Sequence, residues 1–254
     1  RCLERHLPEA GVLLLAHHRD DQAETVLMRL MRGAGVAGLG GMDQLTPAKG
    51  YQLARPLLDL SRTTLEAAAR EWGLDWIEDP ANRDPFRDRN YLRHRVRPVL
   101  AEHWPVADDR IAASAAWLRE ADGLLAERAA EDFLACGGHR DQLDIAGLRS
   151  LSDARRRNLL HWWCRQRGLQ PPPGHLWQRL EPEVLQAPRD RQPRLEWADG
   201  CLARFDDRVW LLYRDELAPV TEAASWAPDT RALDFGPLRL ERVENEVADL
   251  RLVQ

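Results

Sequence analysis

Gly11-Val-Leu-Leu-Leu-Ala-His-His-Arg-Asp-Asp-Gln-Ala-Glu-Thr-Val-Leu-Met-Arg-Leu-Met-Arg-Gly33 is the stretch on which the reading of this chain turns. It opens with VLLLA, residues 12–16, a short continuous apolar run that ends at two histidines. A run of that length bounded by turn residues predicts a buried parallel strand. A helix is then expected from about Asp20 to Arg32, with Asp20 or Asp21 as its cap and Gly33 as its stop. Wound at 100° per residue, it carries Asp21, Glu24, Thr25, Met28 and Arg32 on one stripe and Ala23, Val26, Leu27 and Leu30 opposite. The apolar side has a sheet to cover, so the polar stripe is expected to face outward. Its first turn would lie in the crevice beyond the strand end, where open α/β sheets bind ligands.

Outward from this unit, GAGVAGLGG (33–41) reads as a glycine-rich loop and residues 51–55 as a further strand. Residues 64–72 read as a helix with a capping box of Thr63 and Glu66 and a stop at Gly73, and Trp76-Ile77 as a short strand. This alternation predicts an α/β domain with a parallel sheet. Pro98 and Pro105 mark its exit. Residues 107–135 then predict one long helix, Ser152 caps another running to Arg167, and Pro171-Pro172-Pro173 forms a stiff linker. Helical pattern resumes over 175–186. RLEWADGCLARF and RVWLLY predict three short strands. The expected organisation is 1–104 as the α/β domain, 105–214 as a mainly helical domain with a small sheet, and 215–254 as a linker and the start of another domain.

Composition narrows the class. A 44% hydrophobic and 30% charged chain of 254 residues is that of a globular protein, and no apolar run reaches the roughly 20 residues that span a bilayer. A net charge of −5 predicts no nucleic-acid partner by itself, so the distribution of charge decides. The four cysteines form no CxxC pair, which argues against a zinc ribbon or redox motif and suits a reducing cytoplasm.

Charge concentrates in one place. Between residues 83 and 97 stand six arginines (Arg83, Arg87, Arg89, Arg93, Arg95 and Arg97) against two aspartates. If helical, Arg89, Arg93 and Arg97 line one side at i, i+4 and i+8. Guanidinium groups grip phosphates bidentately, and Phe86 and Tyr91 can stack on an unpaired base. About five such phosphate contacts to single-stranded RNA would give a log K against log salt slope of about −3.5. Carboxylates one turn apart, Asp21 and Glu24, can hold Mg²⁺ or pair with an ammonium group. His-His-x-Asp-Asp also admits a metal hydrolase. The other histidines, such as His94, His103, His139, His161 and His175, show no ligand spacing.

Taken in order, AHHRDDQAET (16–25), LMRLMRGAGVAGLGGM (27–42), RPLL (55–58), WIEDPAN (76–82) and RDRNYLRHRVRPVL (87–100) resemble the tRNA(Ile)-lysidine synthetases, densely over residues 11–100. The likeness is looser from 107 to 213, where SDARRRNLL (152–160) and the closing sheet are similar to that family's middle domain. The resemblance implies a PP-loop ATP pyrophosphatase that adenylates C2 of the wobble cytidine in a CAU-anticodon isoleucine tRNA. Free L-lysine then displaces AMP. It implies ATP, Mg²⁺ and that tRNA as ligands, with a homodimer left open. By the same resemblance Asp21, Glu24 and Arg32 are the expected catalytic residues, with Mg²⁺ at Asp21 and Glu24. His17, His18, Asp20, Asp21 and Gly33 are expected at the nucleotide, and Arg89, Asn90, Arg93 and Arg97 at the RNA. The family's Ser-Gly-Gly-x-Asp-Ser phosphate loop is not in this sequence. It is expected to precede Arg1, with most of the C-terminal domain beyond Gln254, so this polypeptide alone is not expected to form the adenylate. A thiolating relative and a non-catalytic RNA binder of the same fold are the alternatives.

Overall fold

The computed structural model describes residues 11–48, 50–77, 84, 86–188, 191 and 193–214, together with the backbone of strands within 232–253. Two compact units emerge, 1–125 and 126–254. This division falls inside the long helix rather than at the expected limit, residue 104.

In the first unit, β1 (Gly11–Leu14) is followed by α1 (Arg19–Met31), a one-turn α2 (Val36–Leu39), then β2 (Leu45–Ala48) and β3 (Tyr51–Ala54). The sheet order is β1-β3-β2. β1 pairs parallel to β3 with Leu13 opposite Leu53, whereas β2 pairs antiparallel to β3 with Thr46 opposite Leu53. The sheet is therefore mixed, not parallel throughout. β2 escaped the sequence reading because Pro47 argues against a strand, and a proline is tolerated where, as here, the strand lies at a sheet edge. Among the described residues β1 is the other edge, and its alternate residues Val12 and Leu14 are exposed there.

α3 (Arg62–Glu71) starts at Ser61, whose hydroxyl accepts from Thr64 N at 3.1 Å, and not at Thr63. It stops at Gly73, where φ of +63° suits a residue without Cβ. No strand forms at Trp76-Ile77, and Ile77 is 96% exposed. The arginine segment is helical: α4 (Asp88–Tyr91), a π-helical turn (Leu92–Val96) and α5 (Arg97–His103) run on directly. Pro98 lies inside this continuous helical run, just after the π-helical turn, so it does not end the domain. The long helix, α6, spans Ala107–Ala135 as the sequence predicts.

In the second unit, β4 (Gln142–Asp144), α7 (Ile145–Ser150), α8 (Asp153–Gln166), α9 (Gly174–Leu180) with a π-helical turn (Glu181–Leu185), β5 (Arg194–Glu196), β6 (Gly200–Phe205) and β7 (Arg208–Tyr213) follow in order. The sheet, β4-β7-β6-β5, is antiparallel throughout. Its core joins Leu143, Leu148, Leu159, Leu160, Trp163, Leu195, Leu202, Val209 and Leu211, each at most 2% exposed. β8 (Ala232–Phe235), β9 (Leu238–Arg242) and β10 (Leu250–Val253) form a separate antiparallel sheet in the stretch expected to be a linker and the start of another domain. Among the described residues no helix is long and apolar enough to cross a membrane.

Candidate functional site: a carboxylate–guanidinium cluster

The end of β1 delivers the chain into α1 through two histidines. His18, extended at φ −125°, is the residue before the helix, and its backbone N–H donates to Asp21 Oδ2 at 3.0 Å. Asp20 and Asp21 thus occupy the first turn, where the exposed amides of the helix favour negative charge. α1 is buried on more than one side, at Ala23 and Val26 and also at Asp21, Gln22 and Glu24. The polar stripe does not face open solvent, because the arginine helix lies over it.

Glu24, fully buried, accepts from three guanidinium groups. Arg89 Nε donates to Oε2 at 2.8 Å, Arg93 Nε to Oε1 at 2.7 Å, Arg93 Nη2 to Oε2 at 2.9 Å, and Arg97 Nη1 to Oε1 at 3.1 Å. Asp21 Oδ1 accepts from Arg89 Nη2 at 2.7 Å and Arg93 Nη2 at 3.0 Å. Arg97 also donates to Asp20 Oδ2 at 2.5 Å and is paired with Asp108 from the first turn of α6. Asp20 Oδ1 takes the backbone N–H of Arg62 at 3.0 Å. Ionised groups this deep persist only when each finds opposite charge and hydrogen bonds, which this interlocking supplies.

The electrostatics agree. Burial pushes the Asp20 carboxyl up, but the Arg62 amide and the Arg97 guanidinium outweigh it and hold its pKa below the ordinary value. The bond to Glu24 raises the pKa of Arg93 against the opposing effect of burial. His17 is pushed down, chiefly by burial, so it holds the neutral form to lower pH. Its Nδ1 is buried without a hydrogen-bond partner in the described structure.

The expected row of phosphate-facing arginines needs correction. Arg93 and Arg97 have side chains only 18% and 13% exposed and are committed to carboxylates, while Arg89 keeps 39% of its side chain in solvent. Asn90 is buried and donates from Nδ2 to the Asp84 carbonyl at 2.8 Å, a bond that fixes the start of the arginine helix. The expected Mg²⁺ pair is not open either. Both oxygens of Glu24 and Oδ1 of Asp21 accept from guanidinium groups, and Asp21 Oδ2 from the His18 amide. A divalent cation requiring oxygen ligands does not fit this arrangement. No group of three or more His, Cys, Asp or Glu side chains placed to hold a metal ion occurs among the described residues.

Residues 1–100 match the family model of a PP-loop domain, and residues 143–210 that of the TilS substrate binding domain. The tRNA(Ile)-lysidine synthase of Alkalilimnicola ehrlichii is 41% identical over 253 residues, which take in 100% of this chain and 55% of the relative. That of Pseudomonas aeruginosa is 46% identical over 225 residues, or 85% of this chain and 50% of the relative. The chain belongs to the tRNA(Ile)-lysidine synthase family. It spans about half the length of the curated relatives it matches.

For a member of this family, the geometry brings together the residues expected from the sequence only in part. His18, Asp20, Asp21, Glu24, Arg89, Arg93 and Arg97 form one network. Arg32 lies at the far end of α1, largely exposed, and pairs with Asp88 at 3.5 Å. Gly33 has a φ of +72° with open space where a Cβ would stand, so it serves the helix stop rather than a close approach. Residues 78–83, which include part of the WIEDPAN motif and Arg83, lie outside the described residues.

Three contributors stand outside the expected site residues. Asp108 looks in sequence like an ordinary helix-start aspartate. Arg29 braces the glycine loop by donating to the carbonyls of Gly38 at 2.8 Å and Gly41 at 2.7 Å. Gln22 clamps the end of that loop, accepting from Met42 N at 2.7 Å and donating to Met42 O at 2.9 Å. The thiolating alternative finds no support, since Cys136, Cys164 and Cys201 are buried and burial pushes each thiol up, Cys164 to about 12.

Proposed function

We propose that this chain carries part of the catalytic domain and part of the tRNA-binding surface of an ATP-dependent ligase. The ligase would join L-lysine to C2 of the wobble cytidine in a CAU-anticodon isoleucine tRNA. The observation that carries the reading is the direct meeting of the α1 carboxylates, beyond the end of a strand paired in parallel, with the guanidinium groups of the arginine helix. Family membership supplies the substrates; the cluster supplies a chemistry that fits them.

In this reading the oxygen on C2 attacks the α-phosphate of ATP and releases diphosphate; the lysine amine then attacks C2, loses a proton and displaces AMP. Asp21, buried and bound through Oδ1 to Arg89, is suited to hold that guanidinium in place. Arg89, the most exposed of the three arginines, is suited to meet phosphate. Glu24, Arg93 and Arg97 keep these two at a fixed spacing, and Asp20 ties Arg97 in place. His17, with its unmet buried Nδ1, is the best fit among the residues expected at the nucleotide. Arg32 and Gly33 stand at the rim of the loop.

The test is a chimera in which this chain replaces the stretch it matches in the Pseudomonas aeruginosa relative. AMP release should require ATP, L-lysine and a CAU-anticodon tRNA together, and should fall at least tenfold in Asp21→Asn. Release that ignores lysine, or none at all while the chimera still binds the tRNA, would overturn the proposal.

A further inference from the structure

A second concavity, in the unit that follows the cluster-bearing one, has no part in the chemistry above. It encloses about 320 Å³ between the C-terminal end of α6, the C-terminal half of α8 and the last residue of β7. Phe133, Trp162 and Tyr213 give it aromatic walls, and Arg140, Gln166 and Arg167 give it a polar, cationic rim. Its shape is held from within. Trp163, at 1% exposure, forms the floor and donates from Nε1 to the Arg140 carbonyl at 3.1 Å. Tyr213 donates from its hydroxyl to the Arg167 carbonyl at 2.5 Å. The Arg167 guanidinium lies 5.1 Å over the Tyr213 ring and is paired with the buried Asp141. Phe133 meets Trp162 edge to face at 5.5 Å, and Trp162, packed partly buried against the core, turns its remaining surface to the pocket. Arg140, by contrast, has 76% of its side chain in solvent.

We infer that this pocket receives one unstacked nucleobase of the tRNA. The base would stack against Trp162, Gln166 would read its edge, and Arg140 would contact the adjoining phosphate. The inference rests on the proposed function. The chemistry is that of single-stranded RNA recognition: an aromatic face for a base that has left its stack, an amide that both donates and accepts, and a cation for the backbone. The volume suits a base with part of its ribose and is too small for a helix or an extended peptide. Trp162, Gln166 and Arg167 also lie within residues 143–210, the stretch matched by the family's substrate binding domain.

The experiment measures binding of a CAU-anticodon tRNA transcript to the 254-residue chain across a salt series. The variants are Trp162→Ala, Trp162→Phe, Gln166→Ala and Arg140→Gln, each checked for native circular dichroism. Trp162→Ala should weaken binding about tenfold, the scale of one lost base stack, and Trp162→Phe should restore most of it. Arg140→Gln should flatten the log K against log salt slope by about 0.7, one phosphate of a single strand. If Trp162→Ala does not fold, the two rim variants carry the test. Wild-type binding with all variants unchanged overturns the pocket and leaves the ligase reading intact, whereas no binding by the wild type overturns both. AMP titrated into the pocket with tRNA affinity unaltered by Trp162→Ala would also overturn the assignment to tRNA.

Discussion

Replacing Glu24 by Gln tests the central cluster with almost no change in volume. The side chain has no exposed surface and accepts four hydrogen bonds from three guanidinium groups. Gln keeps one acceptor but places an NH₂ where two donors already point, and it removes the charge that Arg93 faces from two nitrogens. Breaking a buried ion pair from one side costs about 3–5 kcal/mol, because the partner charge stays buried. A hydrogen bond to a charged group is worth about 1.5–3 kcal/mol, so loss of two such bonds reaches the same figure independently. At about 1.4 kcal/mol per factor of ten, amide exchange by opening of this region should accelerate by two to three orders of magnitude. Hydrogen exchange read by mass spectrometry on peptides covering 19–31 and 88–103 measures it, with 194–213 of the other unit as an unaffected reference. Arg93→Gln should act comparably, and the double variant should cost clearly less than the two single costs added. If Glu24→Gln left exchange in 19–31 within threefold of wild type, Glu24 would not be the charged hub of this network.

Three further outcomes follow from particular contacts. Because the folded Asp20 carboxyl titrates below its unfolded value of about 3.9, its contribution is fully present above that value and lost as pH falls through the lowered folded pKa; Asp20→Asn should therefore flatten the acid limb of a stability profile and lower stability at pH 7. Gly41→Ala should lower the urea midpoint by the equivalent of about 1–2 kcal/mol, since φ is +73° and a Cβ would come within 2.7 Å of Gln22 Oε1. Cys164, fully buried with its thiol pushed up to about 12, should resist alkylation at pH 8 until urea unfolds the chain, as peptide mapping would reveal.

Local pattern carried the elements that periodicity and caps define. α6 runs over the predicted residues, α1 and α8 deviate by a residue at their ends, and the β5–β7 strands fall where alternation and turn residues indicate. The pairing of β1 with β3 was implied by the helix between them. What pattern could not reveal was what covers what. A helical wheel ranks Asp21 and Glu24 as an outward polar stripe because it has no term for a second helix whose arginines match them. The guanidinium row and the carboxylate pair were each visible, but their mutual neutralisation is a tertiary fact, recorded only in distances. Asp108 shows the limit most plainly: nothing in the local sequence separates an aspartate that caps a helix from one that also holds Arg97.

The π-helical turn at Leu92–Val96 explains how three arginines four residues apart meet one carboxylate. In a regular α-helix each step of four residues overshoots a full turn by about 40°, so Arg97 would point about 80° away from Arg89. A wider turn, closed five residues on instead of four, rotates less per residue and cancels most of that drift. The aim of the whole row is thereby stored as a single surplus residue in the helix backbone. Length in this segment should consequently be less negotiable than the identity of its outward side chains.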